Sequence, residues 1–358
     1  MRAVVLVGGL GTRLRPLTLT TPKQMLPVAE VSMIERVLGH LSRHGVSDVV
    51  LSMGYRPDAF LAAFPDDRCA GVALTYAVEP APLDTGGAIR FAALDAGIDD
   101  TFLVVNGDVL TDLDVTALLA FHRRRQAAAT IALTAVADPS AFGVVSTDGD
   151  GRVTAFLEKP PPGEAPTDLV NAGYYVIEPS VLDAIPAEGR VNVERETFPA
   201  LAADGGLFAQ ASDAYWLDTG SPALYLQANL DHLAGRRGEV PAPGARRTSD
   251  GGGWTIGGPV VDARLTGGSL VGDAAYVAKG STVDGSVVGA GARVDRASVS
   301  GSLLLPGAVV HAGAVVEGSI LGPGSVVGEN AVVRGLTVLG GGVAVEAGST
   351  LDGTSVYP

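Results

Sequence analysis

Short apolar runs alternate with amphipathic segments along the first two thirds of the chain. The runs are rich in Val, Ala and Leu and end at Gly, Pro or polar residues, which is typical of buried strands. They cover residues 3–7, 49–52, 74–77, 102–105 and 130–135. Segments between them, such as 33–44 and 115–125, carry apolar residues at helical spacing. The alternation predicts an α/β domain over residues 1–233, a Rossmann-like mixed sheet with helices on both faces.

The pattern changes after residue 253. Residues 234–253 are rich in Gly, Arg and Pro, which predicts a linker. Beyond it the helical period is lost, and five units of about 16–18 residues repeat from 269 to 353. Each unit holds about three hexapeptides, enough for one triangular coil with apolar residues inward. We therefore predict a left-handed parallel β-helix over 254–358. A disordered tail would not keep the inward valines in register, which are Val271, Val277, Val283, Val288, Val294 and Val299.

Length and charge narrow the class of protein. A chain of 358 residues is long enough for two domains, each with its own hydrophobic core. The formal net charge is −14 and the basic residues form no cluster in the sequence, so no nucleic-acid partner is expected. No apolar run reaches the length of a membrane span, and the first residues predict a core strand instead of a signal peptide. Cys69 is the single cysteine, which excludes an intrachain disulfide and favours the cytoplasm.

A glycine-rich turn with trailing cations follows the first predicted strand. Gly8, Gly9 and Gly11 allow backbone N–H groups to approach phosphate oxygens, and Arg13 and Lys23 supply positive charge. The spacing fits neither a P-loop nor a dinucleotide fingerprint. We interpret the turn as a polyphosphate cradle, against the alternative of an ordinary turn after a strand.

Lysine is rare in this chain, which draws attention to where it occurs. Only three of the 25 basic residues are lysines: Lys23, Lys159 and Lys279. A compact ammonium is not replaced well by the planar guanidinium of arginine. Lys23 and Lys159 lie within motifs that resemble site sequences, whereas compositional drift accounts for Lys279.

Two carboxylates each follow an apolar run and are 110 residues apart. Asp108 ends the run VVNGD, and Asp218 ends YWLD. In a protein with a phosphate cradle, two such acids indicate a shared Mg²⁺, since this ion takes one or two carboxylates and completes its shell with water and phosphate. The alternative is that each aspartate caps a neighbouring helix.

Further polar groups suit a sugar phosphate and a nucleobase. Glu158 and Lys159 follow a predicted strand, and Asn171 offers an amide beside Gly173; a plain surface turn is the alternative for each pair. Glu79 follows another strand, and its carboxylate can accept both adjacent donors of guanine, the N1–H and the 2-amino group. The alternative is that Glu79 only caps the loop before the next proline.

The motifs GGLGTRLRPLT, TPKQMLP, NGD, FGVV, EKP, NAG and WLDTG occur in this order. Together they resemble the sugar-1-phosphate nucleotidylyltransferase family, and the trailing hexapeptide β-helix is similar to that of its mannose-1-phosphate guanylyltransferase branch. The resemblance implies that NTP and a sugar 1-phosphate give NDP-sugar and pyrophosphate, with Mg²⁺ as cofactor. It implies these site residues: Gly8, Gly9, Gly11, Thr12, Arg13, Lys23, Glu79 and Gly86 for the nucleotide, Asp108 and Asp218 for the metal, and Gly143, Glu158, Lys159, Asn171 and Gly173 for the sugar phosphate.

Two details depart from that branch or stay unassigned. The branch usually has EPLGTxG, whereas this chain has EPAPLDTGG, so that Asp84 stands where glycine is usual. An N-cap role would suit it, and a changed wall between base and sugar would open the site to a cyclitol phosphate of the valienol type used in antibiotic biosynthesis. Glu194 and Glu196 match an acidic block of the branch whose role is uncertain.

Four readings of the function follow. A sugar-1-phosphate guanylyltransferase, with Arg13, Lys23, Asp108 and Asp218 as the catalytic set, is the leading one. A uridylyl-, thymidylyl- or adenylyltransferase differs only in the base. A non-catalytic nucleotide-sugar sensor would have lost a phosphate or metal ligand. An acyl-transferring β-helix would need a histidine base in an extruded loop, and His311 lies in a coil without an insertion. We expect the β-helix to mediate homo-oligomerisation instead.

Overall fold

The structure is a computed structural model that describes residues 1–54, 57–238 and 240–358. The chain forms two compact units, and each unit is built from two separate stretches of sequence. The first unit contains residues 1–9 and 34–217, and the second contains residues 10–33 and 218–358. The strands within residues 1–218 are β1 (Arg2–Leu6), β2 (Pro27–Val28), β3 (Val31–Ser32), β4 (Asp48–Met53), β5 (Arg68–Cys69), β6 (Val72–Val78), β7 (Phe102–Asn106), β8 (Val109–Thr111), β9 (Ala129–Ala135), β10 (Gly143–Thr147), β11 (Val153–Glu158), β12 (Leu169–Ile177), β13 (Leu207–Ser212) and β14 (Trp216–Asp218).

Helices connect most of these strands. The α-helices are α1 (Met33–Arg43), α2 (Pro57–Ala63), α3 (Asp84–Asp95), α4 (Val115–Arg125), α5 (Ser180–Ala184), α6 (Phe198–Ala203) and α7 (Pro222–Leu233). Short 3-10 turns cover Thr12–Leu14, Leu17–Leu19, Lys23–Met25 and Pro139–Ala141, and a π-helical turn covers Val193–Thr197.

The first compact unit is built on a ten-stranded mixed sheet. Its main path is β11-β10-β12-β7-β1-β4-β6-β5, and β9 pairs with β12 and β13. Strands β7, β1, β4 and β6 are parallel, whereas β12 runs antiparallel to β7, and β10 runs antiparallel to both β12 and β11. The loops that follow β7, β1, β4 and β6 therefore leave the same edge of the sheet.

The prediction of the α/β region is confirmed. Each of the five predicted strands is present, and no end is shifted by more than two residues; the predicted helices correspond to α1 and α4. The core of this unit is formed by buried side chains that the sheet and helices share, including Phe102, Ile131, Tyr175 and Phe198. The hairpin strands β10 and β11 and the antiparallel β12 make the sheet mixed, as expected.

The second compact unit contains the predicted β-helix. Twenty short strands form three sheets whose neighbours are parallel, apart from β15 and β16 at one end. The six valines named above are all fully buried. Between the strands, the buried serines Ser286, Ser302 and Ser319 form a ladder: the Ser286 hydroxyl accepts the Ser302 N–H, and the Ser302 hydroxyl accepts the Ser319 N–H, each at 3.0 Å. Apolar periodicity alone therefore located this fold correctly.

The bounds of these strands are β15 (Arg246–Arg247), β16 (Gly253–Thr255), β17 (Val260–Val261), β18 (Leu265–Thr266), β19 (Ser269–Val271), β20 (Tyr276–Val277), β21 (Thr282–Asp284), β22 (Val287–Val288), β23 (Arg293–Val294), β24 (Ser298–Ser300), β25 (Leu303–Leu304), β26 (Val309–Val310), β27 (Val315–Glu317), β28 (Ile320–Leu321), β29 (Val326–Val327), β30 (Val332–Arg334), β31 (Val338–Leu339), β32 (Ala344–Val345), β33 (Thr350–Asp352) and β34 (Ser355–Val356).

The predicted linker 234–253 contains some regular structure. Strand β15 pairs antiparallel with β16, and the Arg247 guanidinium lies 4.2 Å from the centre of the Trp254 ring. The division of the chain into domains at residues 233 and 254 stays a prediction. No helix among the described residues is both long enough and apolar enough to cross a bilayer.

Candidate active site

Four neighbouring parallel strands of the first unit end at one edge of the sheet, and three of the loops that follow them carry predicted site residues. Gly8 follows β1, Gly54 follows β4, Glu79 follows β6 and Asp108 follows β7. A Cβ at Gly8 would lie 3.2 Å from the Gly54 nitrogen and 3.6 Å from Glu79 Oε1. Ligands of open α/β sheets bind at such carboxyl ends of strands. The edge therefore brings together glycine backbone and two carboxylates that are far apart in the chain.

Gly107 allows the Asp108 turn to lie directly against β1. Its N–H donates to the Leu6 carbonyl at 3.0 Å. A Cβ at this position would come within 2.8 Å of Val7 Cγ1 and 2.9 Å of that carbonyl oxygen. Because real Cβ atoms do not approach so closely, only glycine permits this turn.

Glu79 uses its two carboxylate oxygens differently. Oε2 accepts the Leu83 N–H at 3.0 Å, which holds the loop before α3. Oε1 faces Gly8 and Gly54 at the sheet edge. The capping role considered above is thus present, and the second oxygen is available for a ligand beside the glycines.

A second group of side chains forms what we call the acid pocket, consisting of Glu158, Asn171, Tyr175 and Glu194. The Asn171 amide donates to Glu194 Oε1 at 2.6 Å and to the Tyr175 hydroxyl at 2.8 Å. Its own oxygen accepts the Gly173 N–H at 2.9 Å. The register between β12 and β9 shifts between Asn171 and Tyr175, and such a bulge re-aims the side chains beside it.

The glycines of this region make room for the pocket. Gly173 has a φ of 73°, and a Cβ there would lie 2.7 Å from Asn106 Nδ2. Gly143 pairs with Glu158 across β10 and β11, and a Cβ there would lie 2.8 Å from Phe156 Cζ and 3.1 Å from Glu158 Oε2. Both glycines were assigned to the sugar phosphate from the resemblance. Their contacts give them a local reason to lack a side chain.

Glu158 is largely buried, and its two oxygens have different surroundings. Oε1 forms an ion pair with Lys159 Nζ at 3.0 Å, and the lysine side chain is 59 % exposed. Oε2 is buried and has no hydrogen-bond partner within the described part of the chain. A buried carboxylate oxygen without a donor is costly in free energy, and a ligand hydroxyl would satisfy it.

Glu194 titrates far from the usual range of a glutamate. Burial, and then the nearby Glu158 carboxylate, raise its pKa to about 7, against the opposing hydrogen bond from Asn171. Burial and the Glu194 charge also raise the pKa of Tyr175 well above its ordinary value. Near pH 7, some molecules therefore carry a protonated Glu194 carboxyl, which can donate a hydrogen bond, and others carry an ionised one, which only accepts.

The π-helical turn that carries Glu194 is fixed by Asn192. The Asn192 side chain accepts the N–H groups of Glu194 at 3.1 Å and Arg195 at 2.9 Å. Glu196 Oε1 accepts the Asn192 N–H at 2.8 Å, as in a reciprocal cap. The two glutamates of the acidic block thus differ: Glu194 bonds to a pocket amide, whereas Glu196 is exposed and caps the turn.

Asp84 acts on the same turn. It has a φ of 60°, which glycine adopts freely and which aspartate tolerates through local hydrogen bonds. Its Oδ1 accepts the Thr85 N–H at 2.8 Å and the Asn192 amide at 3.2 Å, and its Oδ2 lies 3.8 Å from Arg190 Nη2. Helix α3 begins at Asp84 itself, so the expected N-cap role is wrong as to position, although the carboxylate does accept a donor of the first turn.

In the second compact unit, Arg13, Lys23 and Asp218 lie around Gly220; we call these three the cationic cluster. Lys23 is 7 % exposed, and its Nζ is 3.8 Å from Asp218 Oδ1. A Cβ at Gly220 would lie 2.5 Å from Arg13 Nη2 and 2.9 Å from Asp218 Oδ1. This unit therefore holds one cation and one carboxylate beside Gly220, with a second cation next to the same carboxylate.

The remaining predicted residues have simpler surroundings. Gly11 has a φ of 60°, and its carbonyl accepts the Thr18 hydroxyl at 2.7 Å. Gly9 has open space around its Cα, and Thr12 is exposed. The Gly86 N–H donates to the Val191 carbonyl at 2.8 Å, which packs α3 on the chain before the π-helical turn. The nucleotide roles of these residues stay predictions.

Few of the side chains that the structure describes are candidates to bind a metal ion. Within residues 1–54, 57–238 and 240–358, no three or more His, Cys, Asp or Glu side chains gather as a metal group. Asp108 and Asp218 are hard oxygen ligands, and Mg²⁺ commonly needs only one or two carboxylates beside water and phosphate. The donor type of each aspartate therefore suits that ion, and a shared Mg²⁺ site stays a prediction.

Taken separately, the sheet edge and the acid pocket of the first unit and the cationic cluster of the second each suit a part of a nucleotide or a hydroxyl-bearing substrate. Residues 2–235 match the family model described as Nucleotidyl transferase, and residues 265–358 match the model described as the GMPPB C-terminal domain. This protein belongs to the nucleotidyl transferase family, and it is a nucleotidyltransferase.

Curated relatives and solved structures agree with the family. The chain is 43 % identical over 291 residues to the mannose-1-phosphate guanylyltransferase of Mycobacterium tuberculosis, covering 79 % of this chain and 78 % of that protein. It is 36 % identical over 249 residues to the mannose-1-phosphate guanylyltransferase catalytic subunit beta of Dictyostelium discoideum, covering 68 % of each. The structure of HddC from Yersinia pseudotuberculosis superposes with a TM-score of 0.56 at 28 % identity, covering 64 % of this chain and 97 % of HddC; HddC is also known complexed with GMP-PN.

Proposed function

We propose that this protein is a mannose-1-phosphate guanylyltransferase, which converts GTP and mannose 1-phosphate into GDP-mannose and pyrophosphate. The observation that carries this proposal is the 43 % identity, over 79 % of the chain, to a relative of that name. The sheet-edge position of Glu79 supports guanine, and the acid pocket supports a hydroxyl-rich substrate.

The chemistry requires positioning and charge neutralisation more than proton transfer. An oxygen of the sugar phosphate attacks the α-phosphorus of GTP, the bond from the α-phosphorus to the bridging oxygen breaks, and pyrophosphate leaves. A phosphate monoester is already anionic at pH 7, so the nucleophile needs no general base. We assign neutralisation of the α-phosphate to Arg13, which lies with Asp218 beside Gly220, and to Lys23, whose Nζ is 3.8 Å from Asp218 Oδ1.

The acid pocket is proposed to bind the sugar ring. The buried Glu158 Oε2 needs a donor, which a ring hydroxyl would provide. Glu194 can accept from or donate to a second hydroxyl, because its pKa is raised to about 7. Lys159 is assigned to the sugar phosphate, since its exposed ammonium can reach an anion that enters from solvent.

Asp108 and Asp218 are proposed to hold a Mg²⁺ ion. Asp108 follows β7, and Asp218 ends β14. When bound, this ion would neutralise phosphate charge and orient the triphosphate. Lys23, which lies beside Asp218, would also neutralise phosphate charge.

Asp84 favours a second candidate substrate, a cyclitol 1-phosphate. Its carboxylate bonds to Asn192, which caps the turn carrying Glu194. An aspartate at a left-handed position can thereby alter the wall of the acid pocket, and a ring of similar hydroxyl pattern without the ring oxygen would still bind there.

A substrate matrix tests the proposal. We would measure pyrophosphate release with GTP, ATP, UTP, CTP or dTTP against mannose, glucose and valienol 1-phosphates. GTP with mannose 1-phosphate should give the highest kcat/KM. A preference for another nucleotide contradicts the guanine assignment, and a preference for valienol 1-phosphate selects the second candidate.

The Glu79→Gln variant tests the base in the same assay. A carboxylate that accepts two donors contributes roughly 1.5–3 kcal/mol, or about ten- to a hundredfold. Glutamine can still hold the Leu83 N–H but cannot accept both guanine donors, so the lead of GTP over dTTP and UTP should narrow. An unchanged ranking would remove Glu79 from base recognition.

The oligomeric state and the cellular compartment are also proposals. The β-helix is proposed to join subunits of a homo-oligomer, since its outer surface offers long parallel sheets, and light scattering of the full chain measures this. The cytoplasm is the proposed compartment.

A further inference from the structure

A strained hairpin follows the Lys23 segment in the second compact unit. Strands β2 and β3 are joined by Ala29 and Glu30, which have φ values of 45° and 68°. Glycine or asparagine normally occupies such turn positions, because other side chains pay a steric cost there. A turn of this kind persists only where its surroundings hold it in place.

Helix α7 holds one side of the hairpin. The Ala29 N–H donates to Asn229 Oδ1 at 2.8 Å, and the Tyr225 hydroxyl donates to the Pro27 carbonyl at 2.6 Å. Asn229 and Tyr225 are both fully buried. The backbone of the turn is therefore fixed by two side chains of a single helix.

The β-helix holds the other side through the Glu30 carboxylate. Glu30 Oε2 accepts the Ala290 N–H at 3.0 Å, in the corner after β22. A Cβ at Gly272, one coil earlier, would collide with this same oxygen. Burial raises the pKa of Glu30, with the Ala290 bond opposing the shift, so the carboxyl group has left water to make this contact.

The coil at Ala290 differs from the next two in a way that matters for this bond. Backbone bonds between successive coils align Ala290 with Pro306 and Pro323, the first through the Gly307 N–H on the Ala290 carbonyl at 2.9 Å. Proline has no N–H to donate. Only the coil that faces Glu30 keeps a donor at this corner among the three.

The other end of the same segment also lies on the β-helix. Pro16 lies beside Gly340, where a Cβ would come within 3.1 Å of Pro16 Cβ and 2.8 Å of Pro358 Cδ. Lys23 lies between Pro16 and Glu30 along the chain, and Arg13 is three residues before Pro16. Residues 10–33 accordingly cluster with residues 218–358 and not with the sheet that precedes and follows them in the chain.

We propose that Glu30 is a positioning residue: its bond to Ala290 fixes residues 16–30 on the β-helix and thereby sets the placement of Lys23 for phosphate binding. The β-helix then takes part in the reaction indirectly, as the support of the nucleotide segment. The catalytic consequence rests on the proposed function, whereas the anchoring itself does not.

Hydrogen exchange of the full-length protein, read by mass spectrometry, tests the anchoring without any assay of activity. Glu30→Ala removes the acceptor, and Ala290→Pro removes the donor with a residue that the next two coils already accept at that corner. Both variants should raise exchange in peptides from residues 10–33 by about tenfold or more and leave peptides from the later coils unchanged. Glu30→Gln keeps an acceptor oxygen and should behave as wild type, and Pro306→Ala is the matched control at the same corner one coil away.

Kinetics then tests the consequence. Glu30→Ala and Ala290→Pro should each lower kcat with GTP about tenfold while KM for the sugar phosphate changes by less than about twofold. The double variant should be no worse than either single one, because both break the same bond. Exchange at residues 10–33 equal to wild type in both variants, or additive effects in the double variant, would overturn the proposal. A wild-type enzyme without guanylyltransferase activity would refute the proposed function and leave the exchange result to decide the anchoring.

Discussion

The cationic cluster and the acid pocket both bury charged side chains, but their neighbours have opposite effects. Buried Lys23 has a carboxylate, Asp218, 3.8 Å away. Glu194 is half-buried, and its burial, followed by the second carboxylate, Glu158, raises its pKa to about 7 against the opposing hydrogen bond from the Asn171 amide. A nearby opposite charge offsets the free-energy cost of burying a charged side chain. For a carboxyl group, burial together with a like charge instead favours the protonated, neutral form. The first arrangement suits binding of phosphate, and the second suits binding of neutral hydroxyls.

The strongest way to break this comparison is to remove the carboxylates assigned to the metal. Asp108→Asn and Asp218→Asn should each lower turnover by at least about a hundredfold, since each removes a charge from the proposed Mg²⁺ shell. Folding, followed by circular dichroism, should be retained. Near wild-type turnover in either variant would refute that aspartate as a metal ligand.

Separate lysine variants sharpen the comparison between the two groups of residues. Lys23→Ala should mainly lower kcat, by about tenfold or more, because it removes charge at the α-phosphate. Lys159→Ala should mainly raise KM for the sugar phosphate, as the loss of uniform binding does. Initial-rate kinetics with each substrate varied in turn measures both constants. The same defect in both variants would contradict the division of roles.

The smallest expected effect concerns the pH dependence of stability at Glu194. Unfolded glutamate ionises near pH 4.5, whereas in the folded protein burial raises the pKa of Glu194 to about 7. Stability therefore falls as the pH rises through this window, and the full cost is present above pH 7. Glu194→Gln should remove a cost on the order of 1–2 kcal/mol at pH 8.5 and have little effect below pH 4.5, as measured by urea unfolding.

Glu196→Gln is the matched control for that measurement. Glu196 is exposed, caps the turn through the Asn192 N–H and does not belong to the acid pocket. Its glutamine can accept the same hydrogen bond, so the variant should show no comparable gain at pH 8.5. An equal gain in both variants, or a gain at Glu194 that is independent of pH, would count against the raised pKa of Glu194.

Features that depend on local spacing could be predicted from the amino-acid sequence. Inward valines every five or six residues specified the β-helix, because each coil repeats the same short pattern against its neighbours. The apolar runs specified strands β1 and β7, and because these strands are parallel neighbours, the Gly8 and Asp108 turns that follow them leave the same edge of the sheet. The glycines and cations of the phosphate segment were visible because one continuous stretch carries them.

Which distant groups meet, and in which state of charge, depends on the folded chain. Glu158, Asn171 and Glu194 come from β11, β12 and a π-helical turn, and no spacing in the chain indicates that Asn171 bonds to Glu194. The contact of Glu30 with Ala290 spans 260 residues. Sequence reasoning could name the residue types, but hydrogen bonds, burial and the sign of the nearest charge depend on distances that are set only when the chain has folded.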